Sequence, residues 1–174
     1  KGLLKTAIRD DDPVFFLESE RMLGDKGEVP EEEYLIPFGK ANVVRQGTDC
    51  TLLSWGRPVN FAVDAAEELA KEGLSCEVID GRTIRPLDLE TIVRSVKKTN
   101  RLVILEESWP FGNISTEITY QVQNSAFDYL DAPVEKINTA DTPAPFSPKL
   151  LEEWLPNFES VIKDIVKIKN VMSD

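Results

Sequence analysis

The chain has 174 residues, 41 % of them apolar, and a formal net charge of −11 at pH 7. This length and apolar content suit one domain with an additional segment, whereas the negative charge argues against nucleic acid, since a phosphate backbone is bound by basic surfaces. Histidine, the commonest general base and metal ligand, is absent. The sequence has no run of about 18 apolar residues that could span a bilayer, so we expect a soluble protein. Because the chain is acidic, we expect its partners to be basic proteins.

The first forty residues predict a helix, a short strand and a connector. Apolar residues recur with helical spacing in residues 2–10 and predict a helix there. The run Val-Phe-Phe-Leu at 14–17 predicts a short buried strand. Residues 18–40 are acidic and interrupted by glycine and proline, which predicts a linker between domains.

From residue 41 onward, strand patterns alternate with helix patterns. We predict strands at 41–45, 50–55, 76–79, 101–106 and 133–137, and helices at 58–72, 89–96, 114–129 and 158–166. This alternation is typical of a three-layer α/β/α domain with a mostly parallel sheet, which we expect over 41–169 with 41–45 as the edge strand. One rim, at the carboxyl ends of the strands, should then be shared by the segments 56–57, 80–85 and 107–112. We expect residues 170–174 to form a short tail after the domain.

The rim carries the candidate polar groups, each with an ordinary structural alternative. Glu106 and Glu107 could do acid–base chemistry, but adjacent strand residues point to opposite faces, and solvated or ion-paired ends are favoured. Arg82 and Arg85 could bind an anion, although an ion-pair network with Asp80 and Asp88 is favoured. No complete catalytic set is present, because a Ser/His/Asp or Cys/His arrangement needs a histidine.

Two further features have both a plain and a functional interpretation. Cys50 and Cys76 fall in predicted strands without zinc-ligand spacing, so we expect small buried hydrophobic residues and a reducing compartment. The run of acidic residues at 10–12 follows the predicted negative end of a helix, where anions are disfavoured. A solvated turn is favoured, and the alternative is an oxygen-ligand site for a group I or II cation.

Four segments carry a resemblance to a known family. They are KGLLKTAIRD at 1–10, YLIPFGKA at 34–41, VIDGRTIRPLD at 78–88 and FDYLDAPV at 127–134. In this order, and over essentially the whole chain, they resemble the β subunit of the thiamine-diphosphate-dependent, acetyl-transferring pyruvate dehydrogenase first component. The segments TLLSWG at 51–56, SCEVID at 75–80 and DTP at 141–143 are also similar to the branched-chain 2-oxo acid dehydrogenase β subunit.

The resemblance implies a fold and an activity. It implies a transketolase C-terminal domain at 41–169, with a five-stranded, mostly parallel sheet that has one antiparallel edge strand, and the tail of a pyrimidine-binding domain at 1–17. The parent enzyme would decarboxylate pyruvate oxidatively on thiamine diphosphate with Mg and acetylate lipoyl groups. The family's catalytic glutamate and histidine lie upstream of these residues, so none of the catalytic or cofactor-binding residues is expected here.

The resemblance also implies sites and partners. A potassium ion would be bound at positions that correspond to Ala7, Ile8, Asp10 and Asp12. Asp131 matches the family's contact with the basic peripheral-subunit-binding domain of the dihydrolipoyl acyltransferase. The other implied partners are an α subunit and a second β subunit, in a heterotetramer within a multienzyme complex.

Two alternatives stay open alongside pyruvate dehydrogenase. One is the branched-chain enzyme, and the other is a free-standing interaction module that binds the acyltransferase and catalyses nothing. The compartment would be the cytoplasm for a bacterial source and the mitochondrial matrix for a eukaryotic one. Neither nucleic acid nor a membrane is expected as a partner.

Overall fold

A computed structural model describes residues 1–156 and four residues of a further helical stretch, Val161, Ile162, Ile165 and Val166. The strands are β1 (Asn42–Arg45), β2 (Cys50–Ser54), β3 (Cys76–Asp80), β4 (Leu102–Leu105) and β5 (Glu135–Ile137). The helices are α1 (Gly2–Arg9), α2 (Pro58–Lys71), α3 (Leu89–Thr99), α4 (Ile114–Ala126) and α5 (Pro148–Trp154). Short 3₁₀ helices cover Glu20–Met22 and Phe127–Tyr129.

The strands form one sheet in the order β1-β3-β2-β4-β5. β2, β3, β4 and β5 are parallel, whereas β1 lies antiparallel to β3 at the edge. The sequence prediction of a mostly parallel five-stranded sheet with an antiparallel edge strand is therefore confirmed. The central strands β2 and β4 are buried at every position, as expected for parallel strands with helices on both faces.

Two apolar cores cover the two faces of the sheet. On one face α2 packs against β2 and β3 through a stripe of alanines and Leu69, together with Val161 and Ile165. On the other face α3 and α4 pack through Ile92, Val96, Ile118 and Val122. The three-layer α/β/α arrangement follows from this division.

The helix boundaries follow from local chemistry. Pro58 occupies the first turn of α2, where its missing N–H costs nothing. The Asp88 side chain caps α3 by accepting from Thr91 N at 3.1 Å. Asn113 caps α4 in the same way through Thr116 N at 3.2 Å.

Some elements differ from the prediction. The strand expected at 14–17 is wrong: the segment pairs with no strand among the residues that the structure describes, and Phe15 and Leu17 are 94 % and 84 % exposed. The helix expected to reach Tyr129 ends at Ala126, and α5 was not predicted although Ser147-Pro148 is a recognisable helix start. Phe158 of the expected last helix and the tail 170–174 lie outside the described residues.

The segment before β1 holds α1 against the connector. Thr6 Oγ1 donates to the Ile36 carbonyl at 2.7 Å, and Lys1 Nζ donates to the carbonyls of Glu31 and Glu32 at 3.1 and 2.9 Å. Gly2 lies so close to the Tyr34 and Ile36 side chains that an added Cβ would approach both to 2.7 Å. The first helix therefore packs on residues 30–36.

Within the part of the chain that the structure describes, none of the helices is long and apolar enough to cross a membrane.

Candidate functional site

The carboxyl ends of β2, β3 and β4 meet at one rim, as predicted. Gly81 N donates to the Ser54 carbonyl at 2.8 Å, which joins the loops after β3 and β2. Across the next pair of strands, Arg57 Nη1 lies 3.2 Å from Glu107 Oε1. An added Cβ on Gly81 would come within 2.3 Å of Trp55 Nε1, so only glycine lets this loop approach the indole so closely.

Glu106 and Glu107 have separate surroundings. Glu106 is 8 % exposed, and its Oε1 accepts from Ser115 N and from Asn138 Nδ2, each at 3.2 Å. Glu107 instead pairs with Arg57 on the other side. The expectation that these carboxylates do not share a site is confirmed, and Glu106 supports the first turn of α4, where a negative charge is favourable.

The predicted arginine network is half right. Arg82 Nε lies 3.9 Å from Asp80 Oδ2, and Asp80 Oδ1 accepts from Arg82 N at 3.0 Å. Burial raises the pKa of Asp80, and the N–H and charge of Arg82 oppose this shift. The expected pairing of Arg85 with Asp88 is wrong, because both oxygens of Asp88 accept hydrogen bonds from Ala41 N and Thr91, while Arg85 is exposed.

Each acidic side chain at the rim has a structural partner. Asp80 pairs with Arg82 and Glu107 pairs with Arg57. Glu106 accepts a hydrogen bond from the backbone of the first turn of α4. Among the described residues, no group of three acidic or thiol side chains could hold a metal ion.

Exposed aromatic residues also lie at this rim, and they were not predicted from the sequence. Trp109 and Phe111 are 54 % and 90 % exposed in the loop after β4, and Phe146 is fully exposed before α5. Trp109 Nε1 and Trp154 Nε1 both donate to the Thr142 carbonyl, at 3.0 and 2.9 Å. The clustering of these aromatic residues in uncharged segments was the signal available in the sequence.

Asp131, the expected docking residue, lies at the opposite edge beyond the 3₁₀ helix Phe127–Tyr129. Its side chain is 51 % exposed, and Oδ2 lies 3.8 Å from Arg101 Nη2. Asp131 N donates to the Asn100 carbonyl at 2.9 Å, and Asn100 Nδ2 donates to the Tyr129 carbonyl at 2.7 Å. The loop is therefore fixed on the end of α3 and presents this carboxylate to solvent.

The expected cation-binding residues lie together at the end of α1. Asp10 follows the last helical residue and turns the chain out of the helix, and its Oδ1 accepts from Asp12 N at 2.9 Å. Arg9 does not neutralise the turn, because it pairs with Glu33, whose pKa its hydrogen bond and charge lower. Ala7 and Ile8 belong to the last turn of α1, whose final carbonyls have no helical partner.

The cysteines lie opposite each other on β2 and β3 and are 1 % and 0 % exposed. The hydrogen bond to Cys76, together with burial, raises the pKa of Cys50 well above its usual range. A protonated thiol in an apolar core behaves as a small hydrophobic group, as predicted.

Residues 39–161 match the family model described as the C-terminal domain of transketolase. The chain is 48 % identical over 168 residues to the pyruvate dehydrogenase E1 component subunit beta of Rickettsia felis, covering 97 % of this chain and 52 % of that protein. It is 46 % identical to the mitochondrial subunit beta of Homo sapiens, covering 98 % of this chain and 49 % of that protein. The chain thus spans about half the length of these curated relatives.

Two other similarities extend this result. The beta subunit of the acetoin:2,6-dichlorophenolindophenol oxidoreductase of Bacillus subtilis is 46 % identical over 93 % of this chain and 47 % of its own length. Among solved structures, a split-gene transketolase described as an inactive beta4 tetramer superposes with a TM-score of 0.67 at 26 % identity. That match covers 81 % of this chain and 45 % of the other.

Proposed function

This chain belongs to the transketolase C-terminal domain family, and from that premise we propose that it is the C-terminal part of the β subunit of a pyruvate dehydrogenase. The supporting observation is the 46–48 % identity to pyruvate dehydrogenase β subunits over nearly the whole chain. The parent enzyme would decarboxylate pyruvate and acetylate lipoyl groups.

This part of the subunit would serve assembly rather than chemistry. The sequence has no histidine, and the carboxylates at the rim are committed to structural partners. Thiamine diphosphate, when bound to the parent enzyme, would supply the carbanion-stabilising chemistry. Among the residues described here no three acidic side chains form a group that could hold Mg²⁺. We therefore expect Mg²⁺, and with it the diphosphate, to be held elsewhere in the heterotetramer.

The activity is tested with the full-length natural polypeptide that contains this chain, copurified with its α subunit. Supplied with thiamine diphosphate and Mg²⁺, the complex should release CO₂ from pyruvate and reductively acetylate a lipoyl domain. Pyruvate should be preferred over the branched-chain 2-oxo acids. A preference for branched-chain substrates over pyruvate would indicate the branched-chain enzyme. A complex without activity on any of these substrates would favour the alternative that this chain is a non-catalytic interaction module.

Acetoin cleavage is a second candidate function. The acetoin oxidoreductase subunit of Bacillus subtilis is as similar to this chain as the human pyruvate dehydrogenase subunit, at 46 % identity each. In both substrates a carbon–carbon bond is broken: cleavage of acetoin releases acetaldehyde, whereas decarboxylation of pyruvate releases CO₂. The same complex should therefore be assayed with acetoin and dichlorophenolindophenol, where activity above that with pyruvate would favour this alternative.

The domain organisation extends the proposal. Residues 1–17 would be the tail of an upstream pyrimidine-binding domain, with 18–40 as the linker and 41–169 as the C-terminal domain. The exposed apolar side chains of Ile8, Phe15 and Leu17 support this division, because burial against a preceding domain would remove them from water. With bacterial and mitochondrial relatives, the compartment would be the cytoplasm or the mitochondrial matrix.

Asp131 would contribute to docking of the basic peripheral-subunit-binding domain of the acyltransferase. Its half-exposed carboxylate and the net charge of −11 support attraction of a basic module. Isothermal titration with the full complex should show affinity reduced roughly tenfold by Asp131→Ala. Asp128→Ala, an exposed carboxylate in the neighbouring 3₁₀ helix, is the matched control, and an equal loss in both variants would reject a specific role.

A potassium ion would bind at Ala7, Ile8, Asp10 and Asp12. Helix-terminal carbonyls and carboxylates are hard oxygen donors, which fit a group I cation. The melting temperature of the parent complex should rise more with KCl than with NaCl at equal ionic strength. Asp12→Ala should abolish this difference and Asp11→Ala should keep it, whereas equal responses to both salts in the wild type would contradict the site.

Self-association completes the proposed assembly. A heterotetramer needs a second β subunit, and the similar split-gene transketolase is described as a beta4 tetramer. We expect the full-length polypeptide to form at least a dimer without its α subunit. Sedimentation velocity over a range of concentrations measures this directly.

A further inference from the structure

We propose that Cys50 and Cys76 form a reversible disulfide when the protein is exposed to a hydroperoxide. The two residues are partners in the register of the neighbouring parallel strands β2 and β3, and both are free thiols in this structure. The proposal gives the domain a site of oxidative modification. It does not depend on which substrate the parent enzyme uses.

The geometry of the sheet brings the two sulfur atoms close together. Neighbouring strands lie about 4.7–4.9 Å apart, and disulfides join residues whose Cα atoms are about 4.4–6.8 Å apart. Both side chains belong to the core on the face of the sheet that α2 covers, and the two thiols make a hydrogen bond. A disulfide between them therefore requires rotation of two side chains and no change in the pairing of the strands.

The surroundings give the two thiols different acidities. The hydrogen bond from Cys50 lowers the pKa of Cys76 despite burial, and the charge of Arg45 acts in the same direction. Arg45 is held beside Cys76, because its Nη1 donates to the Cys76 carbonyl. The hydrogen bond between the thiols, together with burial, raises the pKa of Cys50. Since a thiolate is the form that attacks an oxidant, Cys76 is the nucleophile and Cys50 is the thiol that completes the disulfide.

The oxidation takes place in two steps. The Cys76 thiolate attacks one oxygen of the hydroperoxide, the O–O bond breaks, and the other oxygen takes up a proton and leaves as water or an alcohol. Cys76 is then a sulfenic acid. The sulfur of Cys50 attacks the sulfur of Cys76, so that the S–S bond forms and the hydroxyl group leaves as water with the proton of Cys50. The two thiols together lose two electrons, which reduce one molecule of hydroperoxide.

The oxidant reaches the thiols from the amino end of the sheet. Cys50 and Cys76 are buried, but each is the first residue of its strand. Thr48 N and Asp49 N donate to the Ser75 carbonyl at 2.9 and 2.8 Å, and Ser75 N donates to Asp49 Oδ2 at 2.7 Å, so these turns close the end of the sheet. Turns and strand ends open at a lower free energy than the centre of a sheet. A small hydroperoxide therefore enters during local opening, while the protein stays folded.

Peptide mapping of the full-length natural polypeptide tests the disulfide directly. The folded protein is treated with hydrogen peroxide, its remaining thiols are alkylated, and it is then denatured and digested with trypsin. Trypsin does not cleave the Arg57–Pro58 bond, so Cys50 lies in the peptide 46–71 and Cys76 in the peptide 72–82. Mass spectrometry should find the two peptides joined, lighter by two hydrogens than their sum, and separate after reduction with a dithiol. The absence of this species, or its formation only when peroxide is added in urea, would reject the proposal.

Two matched variants test the roles of the thiols. In Cys50→Ala, dimedone should trap Cys76 as the sulfenic acid, whereas Cys50 in Cys76→Ala should be labelled about tenfold less, because its thiol stays protonated. Equal labelling of the two variants would contradict the assignment of Cys76 as the nucleophile. After peroxide, the wild type should keep its urea midpoint and Cys50→Ala should lose stability, since further oxidation of Cys76 places a charged sulfinate in the apolar core. An equal loss in both proteins would show that the disulfide does not protect the core.

Discussion

The two ends of the sheet differ in how they use polar and apolar side chains. At the amino end, Glu77 is buried beneath α3, where it accepts from Ser95 Oγ at 2.5 Å and pairs with Lys98. At the carboxyl end, aromatic side chains are exposed on loops that are joined by a hydrogen bond from Trp109 Nε1 to the Thr142 carbonyl. Buried polar groups contact a helix at one end, while apolar side chains are exposed at the other.

The largest expected effect comes from separating the buried ion pair at the amino end. Lys98→Ala would leave the Glu77 carboxylate, which is 4 % exposed, without its cation. An uncompensated buried charge is costly, so we expect a loss of about 3 kcal/mol in the free energy of unfolding. Urea denaturation of the variant and the wild type measures the difference.

The neighbouring Lys97 provides the control for this prediction. Its ammonium lies 4.9 Å from the centre of the Tyr129 ring at the surface, a contact worth about 0.5–1 kcal/mol. Lys97→Ala should therefore cost much less than Lys98→Ala. Equal losses would show that the charge of α3, and not the buried carboxylate, determines stability at this end.

Asp88 tests whether the carboxyl end also contains a stabilising polar group. It caps α3 and accepts from Ala41 N at 2.9 Å, which fixes the entry to β1. Asp88→Asn should cost about 1–2 kcal/mol, because the amide N–H₂ that replaces one carboxylate oxygen cannot accept the hydrogen bond that this oxygen receives from Ala41 N or Thr91. Chemical denaturation at pH 7 measures this loss, with the exposed Asp141→Asn as a control that should change little.

The loss in Asp88→Asn should depend on pH. Burial raises the pKa of Asp88, but the hydrogen bonds from Ala41 and Thr91 outweigh it and lower the pKa. A carboxylate with a lowered pKa stabilises the fold above its unfolded pKa of about 3.9, and this contribution is lost as the pH falls through the lowered value. The difference between wild type and variant should thus be constant near neutrality and narrow in acid. A difference that is independent of pH would show that packing, not ionisation, explains it.

Thr51 extends the comparison at the amino end with a smaller change. Its Oγ1 lies 2.6 Å from Ser95 Oγ and 2.7 Å from Thr99 Oγ1, with all three residues buried. Thr51→Val keeps the shape and removes these bonds, while Ser95 retains Glu77 and Thr99 retains backbone acceptors. We therefore expect a loss of about 1 kcal/mol in thermal or urea unfolding. A loss as large as that of Lys98→Ala would mean that the hydroxyls, and not the ion pair, hold α3.

The sequence predicted the sheet because strand and helix periodicities are local properties of the chain. The caps at Asp88 and Asn113 and the burial of Cys50 and Cys76 follow equally from residue type. The strand expected at 14–17 was wrong because an apolar run indicates burial without specifying which surface buries it. The Lys98–Glu77 pair and the joining of Trp109 to Thr142 connect residues far apart in sequence, so periodicity carries no information about them.

The smallest expected effect concerns the ion pair at the carboxyl end. Arg57 and Glu107 lie 3.2 Å apart with side chains 24 % and 28 % exposed, so water solvates both groups even when they are separated. Glu107→Gln should reduce the free energy of unfolding by about 0.5 kcal/mol, and the loss should shrink in high salt. Urea denaturation at low and high NaCl measures both. A loss approaching that of Lys98→Ala would contradict the division between the two ends, because the rim would then contribute as much to stability as the buried network beneath α3.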